Sequence, residues 1–325
     1  MFPETLWGLA ALGVIVGGFA VLAWRRFPMA YAMAVLCIGV YLLELVAPRC
    51  ALAGGGMPQT FVGNCVLVEL SFIAPLTAAG ERLLTPLTYM FVHADLLHIA
   101  GNMFILLTAG PVLEERIGTR NFLLLYFAAG FAAVAATVGL WQIDYFPGAG
   151  AYAPNLGASG AIFGVLTGFA VLWPKERLPM ITPFIGFIFW MPAITVLLLY
   201  LGFNLVYLVT NSGVAWWGHF AGFLVGFALA PYLHQHLPAH ASAKPLVVDV
   251  EALRPLARTR IQESALRELE RLQHGGTHDD ALLAEAWWDK FVQRAQCPQC
   301  EAKLDQAGGR LVCPQGHVDV AAVKL

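Results

Sequence analysis

Ser159 stands in Gly157-Ala158-Ser159-Gly160, where a polar stretch meets an apolar run. A serine in the first turn of a helix lies beside backbone N–H groups that have no intrahelical partner, and small neighbours let other backbone approach its hydroxyl. That setting suits a nucleophile whose oxyanion is held by those N–H groups. Alone, the tetrapeptide reads better as an N-cap or a helix-packing position. Three further residues change the balance. His219, in Gly218-His219-Phe220-Ala221-Gly222, is the kind of side chain that accepts a hydroxyl proton near neutral pH. His98 and Asn102, four apart and so on one helix face, are hydrogen-bond donors of the kind an oxyanion needs. No carboxylate stands out as an orienter of His219, so a two-residue serine–histidine pair is expected; Asp95 reads as a cap or solvent residue.

The elements that must position these groups are membrane helices. The chain is 58% hydrophobic and 12% charged, with a mean hydropathy of +0.67, more apolar surface than a soluble core of this length can hide. Of 19 Lys/Arg and 21 Asp/Glu, residues 1–236 hold only 8 and 9, so a membrane domain precedes a soluble tail. A net charge of −2 gives no footprint for nucleic acid, and none is expected as a partner. Seven spans are expected: 5–24, 28–47, 98–113, 122–141, 158–173, 181–209 taken as one long span, and 216–233. The segment 48–97 between the second and third reads as a structured outer loop with short interfacial helices. Arg25, Arg26, Arg116, Arg120, Lys175 and Arg177 would lie at inner ends and only Arg49 and Arg82 outside, which predicts an outer N-terminus and a cytoplasmic tail. The spans opened by Ser159 and His219 then both start at the outer face, placing the two side chains at one depth. Gly160, Gly164 and Gly168 recur beside Ser159, and Gly218, Gly222 and Gly226 beside His219, so both helices carry a face that permits close approach.

These residues resemble the rhomboid family of intramembrane serine proteases. The match runs through His98-x-x-x-Asn102, Gly110-x-x-x-Glu114-x-x-x-Gly118, Gly157-x-Ser159-Gly160 and His219-x-x-Gly222-x-x-x-Gly226. The resemblance implies a six-helix core, catalysis by Ser159 and His219 without a cofactor, and an oxyanion site around His98 and Asn102. It also implies transmembrane proteins as substrates, cut within or near their membrane segments. Glu114 and Arg116 look like the family's structural acid and base at the inner end, and Phe163 stands where some bacterial members carry a tyrosine that stacks on the histidine. The implied fold class is an all-α membrane protein, a six-helix core plus one extra N-terminal transmembrane helix and a small soluble tail. The domains expected are 1–27 for the extra helix, 28–236 for the core, 237–296 for a cytoplasmic linker with helices at 250–273 and 281–296, and 297–325 for a zinc-ribbon-like end. The expected location is a bacterial plasma membrane. A non-catalytic relative that escorts membrane clients is the competing reading, but such relatives typically lack the serine or the histidine. A transporter would line a path with its polar groups instead of gathering them near one face.

The cysteines divide by compartment. Cys37 reads as a small core residue. Cys50 and Cys65, both in the outer loop, are either a disulfide or two free thiols. Cys297-x-x-Cys300, twelve residues, and then Cys313-x-x-x-His317 fit a tetrahedral structural zinc site in a tail that is expected to contact or regulate through a cytoplasmic partner.

Overall fold

Among the described residues, seven helices of 14 or more residues build the first unit. They are α1 (Leu6–Trp24), α2 (Met29–Val46), α6 (Leu96–Ile117), α7 (Thr119–Gln142), α8 (Ser159–Leu172), α9 (Ala193–Thr210) and α10 (Trp216–Gln235). The computed structural model describes residues 5–52, 61–145, 152–181, 188–210, 215–235, 247–273, 284, 287–307 and 309–324, in two units, Met1–His236 and Leu237–Leu325. Helices α1, α2, α6, α7 and α9 are long and apolar enough to cross a membrane. α8 has 14 residues, about 21 Å at 1.5 Å per residue, short of the roughly 30 Å of a hydrocarbon core.

Helix starts follow local chemistry. Thr5 accepts from the Gly8 N–H to cap α1, and Asp95 accepts from the His98 N–H to cap α6. α2 begins after Pro28 with no side-chain cap of its own; instead the buried Glu114 carboxylate of α6 accepts the Met29 and Ala30 N–H groups at 2.8 and 2.7 Å. This anion at a helix N-terminus also accepts from the Thr119 hydroxyl at 2.7 Å, joining three helices at one end of the unit.

The core of the unit is α8, where every residue from Gly160 to Ala170 is buried. It packs against α7 and α10. A Cβ added at Gly222 would fall onto the Gly160 carbonyl oxygen, and one at Gly226 onto that of Gly164. The two glycine rows thus interlock backbone against backbone. α9 is the opposite case, burying only Ala193, Val196, Leu197 and Asn204.

The segment between α2 and α6 is ordered by its own small core. β1 (Arg49–Leu52) pairs antiparallel with β2 (Phe61–Asn64), and α3 (Cys65–Leu70), α4 (Ala74–Ala78), α5 (Thr85–Thr88) and a 3-10 turn at Tyr89–Phe91 follow. Val66, Leu70, Phe72 and Ile73 are buried. Cys50 in β1 and Cys65 at the start of α3 form a disulfide. The hairpin register, Cys50 opposite Gly63, is what brings them together. The Arg82 guanidinium donates to the carbonyls of Val68, Glu69 and Ser71, closing the C-terminal end of α3.

The expected single span over 181–209 is corrected. β3 (Arg177–Ile181) and β4 (Ile188–Pro192) pair antiparallel, and among the described residues of that stretch only those from Ala193 on, in Ala193–Thr210, are helical. Pro192 lacks an N–H and its ring would clash inside a helix, so α9 starts just after it. The apolar run Ile188 to Met191 looked helical because hydropathy alone does not separate a short strand from a helix.

In the second unit, the expected helix 250–273 is also broken, into α11 (Val250–Leu253), a 3-10 turn at Arg254–Leu256 and α12 (Arg260–Gln273). Pro255 supplies the break. Residues 287–292 are helical, and the expected stretch 281–286 lies outside the described residues apart from Ala284. β5 (Val247–Val248) pairs with β9 (Val323–Lys324), while β6 (Asp305–Ala307), β7 (Arg310–Val312) and β8 (Asp319–Ala321) form a three-stranded antiparallel sheet. One apolar cluster includes Leu253, Leu266, Leu269, Phe291, Cys297, Leu311 and Cys313. The cluster draws on described residues from both 247–296 and 297–324.

Candidate active site

Ser159 opens α8 and His219 lies in the first turn of α10. The glycine rows set their separation: with backbone in contact, a side chain at each helix start reaches the other. Ser159 Oγ lies 2.8 Å from His219 Nε2. The imidazole is held on two further sides. Phe163, one turn below Ser159, stacks on it at 4.7 Å with an 11° interplanar angle, and Asn204 Oδ1 on α9 lies 2.8 Å from its Nδ1. Sequence reasoning missed Asn204, having looked for a carboxylate. The signal was present as the one strongly polar side chain in an otherwise apolar 18-residue helix.

Gly157, two residues before Ser159, has φ +109°, a conformation that L side chains rarely adopt. A Cβ there would lie 2.6 Å from His98 Nε2 and 3.7 Å from Asn102 Nδ2, so both α6 side chains pass against this glycine and only glycine leaves them room. The Gly157 N–H donates to the Tyr89 carbonyl at 2.9 Å, and Asn155 and Phe72 exchange backbone hydrogen bonds of 2.8 and 2.7 Å. The chain leading to Ser159 is thereby stitched to the segment between α2 and α6.

Asn102 is buried, and its Nδ2 has no hydrogen-bond partner among the described residues. A buried donor without a partner costs about 1–3 kcal/mol and so calls for an explanation. His98 Nδ1 accepts from the Ala94 N–H at 3.4 Å, which leaves the ring proton on Nε2, the atom beside Gly157. Two N–H donors therefore lie against Gly157, two residues before a hydroxyl that is hydrogen-bonded to an imidazole. Such an arrangement can deprotonate a nucleophile and receive a developing oxyanion. A small cavity bordered by Tyr89, Ala133, Thr137, Ser159 and His219 adjoins the hydroxyl.

At the other end of α6, Arg116 pairs with Glu176 at 3.2 Å and lies over the Trp173 ring at 4.6 Å. Glu114 and Arg116 thus tie α6 to α2 and to the end of α8, far from the hydroxyl in sequence and fold.

In the second unit, Cys297, Cys300, Cys313 and His317 place their ligand atoms within 4.8 Å of one another. Cys300 Sγ and Cys313 Sγ are 3.5 Å apart, and His317 Nδ1 is 3.9 and 4.0 Å from the sulfurs of Cys297 and Cys313. Tetrahedral zinc with sulfur at 2.3 Å sets its ligands about 3.7 Å apart, so the four residues fit that ion. Each knuckle turns an N–H toward its sulfur, Gln299 to Cys297 and Gln315 to Cys313, both at 3.4 Å. Desolvation pushes the Cys313 thiol up, but the backbone N–H groups of Gln315 and His317 and the neighbouring thiols outweigh it and hold it at about 6. A thiol so placed is readily deprotonated, as a metal ligand must be. The first knuckle is braced by α12 and the turn before it: Arg258 donates to the Pro298 carbonyl at 2.6 Å and Gln262 Nε2 to that of Arg294 at 2.9 Å.

Residues 80–236 match the family model of the Rhomboid domain. Among curated relatives, Rhomboid-like protease 3 of Toxoplasma gondii is 34% identical over 163 residues, 48% of this chain and 52% of the relative. Rhomboid protease GluP of Bacillus subtilis (strain 168) is 33% identical over 161 residues, 49% of this chain and 27% of the relative. Rhomboid protein 1, mitochondrial, of Saccharomyces cerevisiae is 35% identical over 91 residues, 27% and 25% of the two chains. The matched segment spans about half the length of the first relative and about a quarter of the other two. Residues 80–236 are therefore a rhomboid domain.

Proposed function

We propose that the chain is a serine endopeptidase that cuts transmembrane proteins within or near their membrane segments. The observation that carries the reading is the Ser159 Oγ to His219 Nε2 contact of 2.8 Å beside the unpartnered Asn102 amide. In the reaction His219 takes the Ser159 proton as Oγ attacks the scissile carbonyl. The carbonyl oxygen, now an anion, accepts hydrogen bonds from Asn102 Nδ2, His98 Nε2–H and the Ser159 N–H, whose position in the first helical turn leaves it free of an intrahelical partner. His219 then returns the proton to the leaving amine, and water attacks the acyl-serine by the same route in reverse. No cofactor is needed for these steps.

The shortness of α8 gives the site its depth. If its C-terminal end reaches the inner interface, Ser159 lies below the outer surface, within reach of a substrate helix whose backbone has been loosened. The membrane of this reading is a bacterial plasma membrane, and the charge distribution supports an outer N-terminus and a cytoplasmic tail. In that tail Cys297, Cys300, Cys313 and His317 would hold one zinc ion, structural because all four positions are filled by protein; a cytoplasmic protein is the partner the tail would serve.

Co-expression with a single-span reporter tests the reading. Wild type is expected to release the reporter's soluble part, and Ser159→Ala and His219→Ala to lower the rate by about 10⁴-fold or more. Cleavage unchanged in both variants would exclude the serine–histidine mechanism.

A further inference from the structure

The reaction as drawn uses one nitrogen of His219, yet the other is also engaged. Asn204 Oδ1 lies 2.8 Å from His219 Nδ1, and Asn204 Nδ2 donates to the Trp216 carbonyl at 3.0 Å. We propose that Asn204 is the positioning residue for His219: its amide oxygen holds the imidazole as the Nδ1–H tautomer and so leaves Nε2 bare to take the Ser159 proton. This rests on the assignment of Ser159 and His219 as nucleophile and base.

Which end of the Asn204 amide faces the ring follows from its other partner. The Trp216 carbonyl only accepts, so the amide NH₂ must point to it and Oδ1 must point to His219. Oδ1 in turn only accepts. A neutral imidazole satisfies it solely with a proton on Nδ1, which makes Nε2 the acceptor toward the Ser159 hydroxyl. The other tautomer would oppose two lone pairs at 2.8 Å and put a proton between Nε2 and the hydroxyl whose own proton must leave. Asn204 and His219 are 5% and 8% exposed, so water offers neither of them a substitute partner.

Placement supports the same role. α9 buries three apolar residues and this one amide. An amide in a membrane helix is costly unless bonded, and here both ends are used on the first turn of α10, one on its backbone and one on the ring three residues further along. The ring is therefore fixed relative to its own helix by a side chain from the neighbouring one. Phe163 fixes the plane of the ring, and Asn204 fixes its rotation within that plane and its protonation pattern. An amide achieves this without a buried negative charge, which a carboxylate orienter would bring into the bilayer.

The test uses the full chain in detergent micelles, with Asn204→Leu and Asn204→Asp. ¹⁵N NMR of histidine-labelled protein, with His219 assigned through His219→Gln, reads the tautomer without any substrate. Wild type is expected to show one Nδ1–H tautomer, and Asn204→Leu a mixture or the Nε2–H form. For reporter cleavage, Asn204→Leu is expected to lower kcat about 10²-fold with KM within about threefold, since the residue acts through the base and not on the substrate. Asn204→Asp is expected to recover most of that loss. Its negative charge raises the imidazole pKa, so the acid limb of the rate moves to higher pH. A wild-type Nε2–H tautomer would overturn the proposal. So would an Asn204→Leu protein that melts earlier but keeps the wild-type tautomer, with no recovery in Asn204→Asp, because that pattern is packing alone. Failure of wild type both to cleave the reporter and to react with a fluorophosphonate at Ser159 would remove the protease reading itself, while the NMR arm would still decide the tautomer.

Discussion

The Ser159 group sits on helices whose spacing is set by backbone against backbone, whereas the Cys297 group sits on two chain reversals, one closed by the bridge of Gln296 with Lys303 and one between β7 and β8. In the membrane unit, glycine rows on α8 and α10 bring Ser159 and His219 together before any ligand is present, and the groups left without partners, above all Asn102 Nδ2, mark where a reacting oxygen would go. In the tail unit two of the four candidate ligands, Cys297 and Cys313, are part of the apolar core itself. Polar groups preorganised by packing serve chemistry on a visitor, while ligands built into a small core make the visitor part of the fold.

The largest effect that would break this contrast is metal removal. The full chain is expected to carry one zinc per molecule, and zinc binding to such a set is worth about 10–16 kcal/mol in small peptides. Chelation should therefore unfold residues 247–324 while leaving the membrane helices folded. Limited trypsin digestion reads this directly, with cuts after the tail's Arg and Lys residues appearing only in the chelated sample. Equal resistance with and without metal would show that the apolar cluster suffices and that the two units do not differ in this way.

Next in size is Asn102→Ala. Removing one oxyanion donor costs about 10²–10³ in kcat in comparable sites, roughly 3–4 kcal/mol. Because Nδ2 has no partner among the described residues, the same change should leave thermal stability unchanged or slightly raised. A donor kept for the transition state is the only reading that predicts slower cleavage without a weaker fold. Loss of stability in proportion to loss of rate would instead make Asn102 a packing residue.

What the sequence made legible was chemistry carried by residue type. Ser159, His219, His98 with Asn102, and the spaced cysteines were all identifiable because few other side chains perform those roles and their spacing matched helix turns or knuckles. What it hid was geometry among ordinary residues. Asn204 is fifteen positions from His219, and only the packing of α9 on α10 makes it a neighbour. The Cys50–Cys65 bond depended on a hairpin register that no spacing rule supplies. The paired strands β3 and β4 had the hydropathy of a span, and the break at Pro255 was outweighed by a helical pattern on both sides. In each case a single proline carried the correct boundary, and a longer periodic run obscured it.

The smallest effect separates the glycines that make the site from those that merely occupy helices. A Cβ at Gly222 would meet the backbone oxygen of Gly160, and its carbon at 3.0 Å, with the Phe163 Cβ at 3.3 Å. None of these is the end of a flexible side chain, so α8 and α10 must part. Gly222→Ala is expected to cost about 1–3 kcal/mol of stability, as overpacking typically does, and to lower reporter cleavage as the serine–histidine contact lengthens. Gly139→Ala in α7 is the matched control. Nothing lies within 4 Å of a Cβ there, and replacing a helical glycine by alanine in open space gains up to about 1 kcal/mol. Thermal melting and reporter cleavage of the two variants should therefore move in opposite directions or leave Gly139→Ala at the wild-type level. If both variants behave alike, the interlocked backbone is not what sets the distance between Ser159 and His219, and their positioning must come from the stacked Phe163 and the bridging Asn204 instead.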